Sequence, residues 1–345
     1  MEASYNPDFS PTGIEGGVDT NQLPWIALAI FPGMSIKPLR ASTESSMFSL
    51  IIKLESGTHL TNLLSLGAMD LMVLSGDVTF SDSPALYPGV WGFIPANSLI
   101  DRTATDAGVE LLVNCYGPIA RSVDGHIDQL LTANHIAQHA REAGIQLVPN
   151  SLAECMLERT NTSPAADAPL AISASDTTAR ASGKNDSTTE LHAHFIDTDK
   201  VPWIVNPDLP DIALKVLRVS EETGITSLIV RHNGVAGPHY HLGAADFLVI
   251  SGKIGYRAGP PEGYGAGVWF YEPAGARHEA TQRIGEEDLI YTANVYGPIQ
   301  FDEGAGTPIV AVQSWMQYKE LADASGVTLV RSTPEDQNLF AWSPL

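Results

Sequence analysis

Laid against itself at an offset of about 178 residues, the chain repeats through both of its halves. DTNQLPWI at Asp19 to Ile26 returns as DTDKVPWI at Asp197 to Ile204, and LGAMDLMVLSGDVTF from Leu66 returns as LGAADFLVISGKIGY from Leu242. YPGVWGFIPAN from Tyr87 matches YGAGVWFYEPAG from Tyr264, and NCYGPI at Asn114 matches NVYGPI at Asn294. Solenoid repeats have periods of about 20 to 50 residues, so a period this long marks a duplicated domain. Two domains also suit 345 residues, which exceed what one ordinary core organises.

Each copy is a series of short apolar runs, such as MFSLIIKL, MDLMVLSG and ELLVNCY, or SLIVRH, DFLVISG and DLIYTANVY. They have strand length and are broken by Gly, Pro, Asn or Asp, which predicts an all-β fold of many antiparallel strands. Both copies end in a helix-like stretch, HIDQLLTANHIAQHAREAG and QSWMQYKELADASG, with Gly144 and Gly326 placed to stop it. Between them runs RTNTSPAADAPLAISASDTTARASGKNDSTTE, polar and without apolar period, which reads as a flexible linker. The expected organisation is a first domain over 1–150, a linker over 151–194 and a second domain over 195–345.

The formal charge of −21 disfavours nucleic acid and anionic membrane surfaces as partners. Two cysteines, Cys115 and Cys155, make neither a disulfide framework nor a four-thiolate zinc site. The sequence has no apolar run of membrane-spanning length and no basic-then-apolar start, so a soluble, cytoplasmic protein is expected.

The chemistry concentrates in the second copy, at GPHYHLGAADFLVISGK and GVWFYEPAGARHEATQ. Histidines at i and i+2 on a strand share a face, so His239 and His241 can project together into a barrel and hold one ion. A third imidazole must come from a distant strand, and His278 is the candidate. Three neutral imidazoles leave coordination positions open for substrate and dioxygen.

These residues resemble the cupin superfamily. His239-x-His241, Asp246 and Gly252 match the first cupin motif, and Gly267, Pro273, Gly275 and His278 match the second. The resemblance implies two tandem cupin barrels (double-stranded β-helix, jelly-roll) with short terminal helices, the second one binding a metal. The VWFYEPAGARHE segment is similar to the 2,4′-dihydroxyacetophenone and acetylacetone dioxygenases and to the cupin half of ChrR anti-sigma factors. What this implies is iron(II), with zinc, manganese or nickel as alternatives, acting with dioxygen on a small carbonyl compound. The carboxylate of the site stays open at this stage. Asp246 stands where cupins carry a glutamate, either as a metal ligand or as an acceptor for a ligand imidazole. Glu262 lies in the following loop, and Glu272 suits an acid beside a three-histidine site. Gln282, in phase with His278, takes the place of the asparagine that often ends the second motif and is expected to face the interior. Tyr240 and Arg277 alternate to the opposite face, as surface or interface residues.

In the first copy Leu63, Ser65 and Ile100 align with the three histidines, while Asp70, Gly76, Gly89 and Pro95 are kept. One serine and two aliphatics do not hold a divalent ion, so this copy is expected to be a metal-free structural partner in a homodimer. His59 lies outside the ligand register, and His192-Ala-His194 has ligand spacing without a third partner nearby. The function expected is iron(II)-dependent cleavage of a carbon–carbon bond in a β-dicarbonyl or hydroxyketone. A metal-dependent isomerase, lyase or hydrolase is the alternative, with a non-catalytic ligand sensor as a third reading.

Overall fold

A computed structural model describes residues 17–81, 83–154, 190–206, 209–256, 260–278, 280–303, 307–331 and 341–342. Most of the expected linker, from 155 to 189, lies outside the described residues. The fold is the expected one: antiparallel sheets make two compact units, and the described helices are short. No described helix is long and apolar enough to cross a membrane.

One unit is built on Gln22–Val148. Its seven-stranded sheet runs Phe195–Asp197, Val90–Ile94, Met69–Gly76, Val109–Cys115, Phe48–Leu54, Met34–Ala41 and Ile26–Ala27. A second sheet faces it, in the order His126–Leu131, Ile119–Val123, His59–Ser65, Ser98–Ala104 and Ala341–Trp342. Inward positions alternate along these strands, and the interior is a continuous apolar core that includes Leu54, Leu63, Phe80, Ile94, Ile100 and Leu111. The helix Ala133–Glu142 starts at Thr132, which makes a reciprocal cap with His135.

The other unit is built on Pro202–Thr328 and repeats this plan. Its seven-stranded sheet runs Val18–Asp19, Val268–Glu272, Ala245–Ser251, Ile290–Val295, Thr226–His232, Leu209–Val219 and Ile204–Asn206. Its remaining strands form a sheet of Arg277–His278, His239–His241, Ile299–Asp302 and Ile309–Gln313, and a small sheet of Val235–Ala236, Thr281–Arg283 and Ile254–Tyr256.

The units are not contiguous in sequence: Phe195–Asp197 and Ala341–Trp342 lie beyond residue 195 yet belong to the first unit, and Val18–Asp19 lies before residue 150 yet belongs to the second. The segment before Gln22 adds a strand to the second unit, and the segment ending at Val201 adds one to the first. This is what the repeated Asp-Thr motif does. Thr20 sends its backbone N–H and its hydroxyl to the Gly267 carbonyl, at 3.0 and 2.7 Å. Thr198 makes the same pair of bonds to Gly89, at 3.1 and 2.7 Å. The accepting glycines have φ of +88° and +90°, a backbone shape that other residues adopt only with strain.

A cross-strand size exchange accompanies each added strand. In the first unit Phe195 is paired with Gly92, and its ring fills the space a side chain at 92 would take. In the second unit the large residue is Phe270, and the incoming strand supplies Gly17, where a Cβ would meet the Phe270 ring at 2.5 Å. Each barrel thus receives one phenyl ring at this point, from opposite members of the pair.

Candidate metal site

The His239–His241 strand is short, and two close approaches fix its ends. At its end Gly243 packs on the Gly297 backbone, as Gly67 packs on Gly117 in the first copy, with no room for a Cβ in either place. Alongside, the His241 N–H donates to the Ala276 carbonyl and the Gly275 N–H donates to the His241 carbonyl. These bonds align the turn that carries His278. In the resulting register His239 and His278 are direct cross-strand partners. The side chain of His278 lies outside the described residues.

His239 and His241 are both buried, with ring centroids 5.0 Å apart. His239 Nδ1 lies 2.8 Å from the Gly237 carbonyl, a bond that requires the proton on Nδ1 and leaves the Nε2 lone pair for a ligand. His241 Nε2 is in contact with the carboxylate of Glu272, which is only 1% exposed. Among the described residues, which do not include the His278 side chain, no group of three or more His, Cys, Asp or Glu side chains is placed to hold a metal ion.

Glu272 is directly opposite Ala245 on the neighbouring strand, so the methyl of Ala245 leaves room for the carboxylate. Around it stand two phenols. The Tyr256 hydroxyl hydrogen-bonds to Glu272, and burial together with the Glu272 charge pushes its pKa well above the ordinary tyrosine value. Tyr291 is raised too, by burial and then by Glu272. Both therefore remain protonated donors. Tyr291 also meets the buried His232, with 3.2 Å between its hydroxyl and Nδ1. Phe247 and Phe270 stack at 4.6 Å on the same inward face, with Tyr264 edge-on to Phe270.

The duplicate inside the chain serves as its own control. The pair Leu63 and Ile100 has the register of His239 and His278, so the alignment made from sequence holds in three dimensions. By the same registers Ser65 replaces His241, Ile94 replaces Glu272, Leu54 replaces His232 and Leu111 replaces Tyr291. Phe80 and Leu86 stand for Tyr256 and Tyr264, as the bridges Val78 to Leu86 and Ile254 to Tyr264 show. Burying a polar group costs free energy unless it is bonded, and this fold packs well without any of them. These polar residues are confined to the second copy. Sequence reasoning missed His232, Tyr264 and Tyr291 and gave Tyr256 no role. Reading the two copies against each other position by position was the signal that would have found them.

Other expected residues fall elsewhere. Asp246 is next to Ala245 and so points to the opposite face of the sheet, the face of Trp269 and Tyr271. There its carboxylate accepts bonds from Tyr296 and from Asn294, as Asp70 does from Tyr116 and Asn114 in the copy without histidines. Asp246, expected as a metal ligand or as an acceptor for a ligand imidazole, thus makes the same pair of bonds as Asp70 does in the copy without histidines. Gln282 is exposed while its neighbour Thr281 is buried. The strand carrying His278 ends there and a new one begins at Thr281, which shifts the alternation by one and turns Gln282 outward. Glu262 is exposed in its loop, as is His59 on its strand.

Tyr240 and Arg277 do alternate away from the histidines, but Arg277 is not a surface residue. It is buried, paired with Asp302 at 2.9 Å and set over the Tyr240 ring. His192 and His194 stack on each other, with His194 buried and its Nδ1 3.0 Å from the Phe93 carbonyl, which accounts for it as a core residue.

Comparison with known proteins agrees with this architecture. The family described as the ChrR Cupin-like domain matches twice, over residues 15–120 and 191–297. No curated protein sequence matches. Among solved structures, a provisionally designated dioxygenase of Nostoc punctiforme is 12% identical, with a TM-score of 0.52 over 86% of this chain and 85% of its own. A deletion mutant of Bacillus subtilis oxalate decarboxylase is 15% identical, with a TM-score of 0.45 over 81% of this chain and 76% of its own. A provisionally designated acetylacetone dioxygenase of Methylibium petroleiphilum is 24% identical and covers 42% of this chain and 99% of its own, with a TM-score of 0.33.

Proposed function

Since this chain belongs to the ChrR cupin-like domain family, in two copies, we propose that its second copy is an iron(II)-dependent dioxygenase acting on a β-dicarbonyl or hydroxyketone-like compound. One observation carries the reading. His239, His241, Glu272 and the backbone of His278 converge in one barrel, while the same register positions in the other copy are Leu63, Ser65, Ile94 and Ile100. The donor set fits a divalent ion, with His239 already held in the tautomer that presents Nε2. Iron(II) held by His239, His241 and His278 would supply the redox chemistry that lets dioxygen react.

The protein's own residues do the rest. Glu272 is buried beside the ligand set, where a carboxylate can take the proton from the acidic carbon between or beside the carbonyls. The bonding electrons of that C–H stay on the substrate as an enolate. Addition of dioxygen then breaks one carbon–carbon bond, and both oxygen atoms end in the two carbonyl products. Tyr256 holds the Glu272 carboxylate in place, and the Phe247–Phe270 stack keeps that side of the interior apolar. A second reading uses the same proton transfer at Glu272 and Tyr256 without oxygen, as an isomerase or lyase.

Anaerobic loading with iron(II), manganese(II), nickel(II) or zinc(II), followed by a panel of β-dicarbonyls and hydroxyketones at an oxygen electrode, separates the two. One dioxygen consumed per substrate with iron, and both atoms of labelled dioxygen found in the products, is the expected result. Turnover that proceeds equally without oxygen, or with zinc, overturns the dioxygenase reading.

A further inference from the structure

Little backbone holds the strand that carries His278. Arg277–His278 is two residues long, and beyond it the chain passes to another sheet, where Thr281–Arg283 pairs with Val235–Ala236 and Ile254–Tyr256. The equivalent strand of the first copy, Ser98–Ala104, has seven residues and pairs with His59–Ser65 along its whole length. A ladder of that length over a buried core fixes its own register. A strand of two residues contributes few bonds toward that, yet its register is what sets His278 across from His239.

On the face of this sheet away from the histidines, a buried ion pair spans the ligand strand. The strand order is Arg277–His278, His239–His241, Ile299–Asp302, so Arg277 and Asp302 stand on the two strands that flank it. The Arg277 guanidinium passes over the Tyr240 ring, 5.4 Å from its centroid, and donates to the Asp302 carboxylate at 2.9 Å. Both charged residues are buried, and Tyr240 is the direct cross-strand partner of Arg277. The first copy has none of this: its register puts Leu64 in the place of Tyr240, Leu99 in that of Arg277 and Ser122 in that of Asp302. Taking two charges out of water seldom gains stability over apolar residues of similar size. An ion pair found only in the copy with the histidines is therefore explained by what it fixes.

We propose that Arg277, held by Asp302 and Tyr240, is a positioning residue for the metal site, pinning the short strand across the ligand strand and so setting where His278 meets His239 and His241. A guanidinium suits this task. Its planar fork binds a carboxylate while its face lies on an aromatic ring, which fixes direction as well as distance. Arg277 and His278 are consecutive and alternate to opposite faces of one strand, so a tilt or slip that displaces one displaces the other. The inference rests on the metal site proposed above and is independent of substrate and of dioxygen.

Cobalt(II) is the probe, because its visible spectrum reports coordination geometry and it stands next above iron(II) in the affinity order. Arg277→Leu combined with Asp302→Ser removes both charges together and installs the residues of the first copy, so no charge is stranded. For this paired variant we expect melting close to that of the unchanged protein, a cobalt affinity about 10- to 100-fold lower and an altered spectrum. Arg277→Lys keeps the charge without the fork and should fall between the two. A cycle then distinguishes positioning from general loosening. In a His278→Ile background the paired substitution should weaken cobalt binding no further, since the residue it positions is gone. An unchanged protein that takes up no cobalt overturns the metal site, and this inference with it. Cobalt bound with the same affinity and spectrum in the unchanged protein and the paired variant overturns this inference alone, as does an additive loss in the His278→Ile background. Should the paired variant not fold, Arg277→Lys carries the test, and an affinity and spectrum equal to those of the unchanged protein overturn the proposal there.

Discussion

Ala245 and Glu272 face each other directly across neighbouring antiparallel strands, and the small residue yields its space to a buried carboxylate that rests against His241. Removing that carboxylate should act on the metal site more than on the fold, because Ile94 fills the same position of the other copy without difficulty. For Glu272→Gln we expect metal affinity or turnover to fall by about 10- to 100-fold, the usual scale for a group that supports a ligand histidine. Chelator competition and steady-state rates measure it. Unchanged affinity and rate would remove Glu272 from the site.

Asp246 should behave in the opposite way. Its carboxylate takes bonds from the part-buried Tyr296 and the buried Asn294, on the face of the sheet away from the histidines, so Asp246→Ala removes the acceptor of both. The expected cost is about 1 to 3 kcal/mol of stability for each donor so stranded. Asp70→Ala should cost about as much in the first copy, where Tyr116 and Asn114 are the donors. Denaturant unfolding of the two variants, set beside their metal content, is the measurement. Metal loss in Asp246→Ala, with full metal in Asp70→Ala and equal destabilisation, would restore Asp246 to the ligand set.

Much of this was legible in the sequence, for particular reasons. The fold could be read because strand length, turn residues and the repeat all spoke of local structure. His239 and His241 could be placed because alternation holds within one unbroken strand. Alternation failed at Gln282, where the strand breaks after His278 and the count slips by one. It was silent on Glu272, since Pro273 and Gly275 separate it from His278 by a turn whose direction only the tertiary structure sets. The cupin motif drew attention to Asp246, because the motif is a spacing and carries no information on which face the strand presents. The exchanged strands at Val18–Asp19 and Phe195–Asp197 were visible as a repeated Asp-Thr motif, but which barrel each one joins is a long-range choice.

The size exchange between Gly17 and Phe270, and between Phe195 and Gly92, makes a prediction about the added strands. Phe195→Ala empties a ring position against Phe80 and should cost the first barrel about 3 to 5 kcal/mol. Gly17→Phe should destabilise the second barrel by crowding Phe270, typically by about 1 to 3 kcal/mol. Combining Gly17→Phe with Phe270→Gly transplants the first copy's arrangement, and we expect the double variant to regain most of the loss. Equilibrium unfolding of the single and double variants gives the coupling directly. Additive losses would mean that the two positions do not share one space.

The first copy supplies the last prediction, because it shows what these positions look like with the chemistry removed. His239→Leu, His241→Ser and His278→Ile each install the residue that the same register carries in the first copy, so the fold already tolerates the replacement in the duplicate. Each change removes one of three imidazoles. A site left with two should lose iron(II) on purification, given the low place of iron(II) in the divalent affinity order. The unchanged chain should hold one metal ion, and Leu63→Ala or Ile100→Ala should keep it while costing about 2 to 5 kcal/mol of stability from the packed core of the first copy. Elemental analysis of the purified variants, alongside their unfolding curves, separates the two effects. Two metal ions per chain, or full metal in the His278→Ile protein, would show that the second copy binds its ion through a different set of side chains.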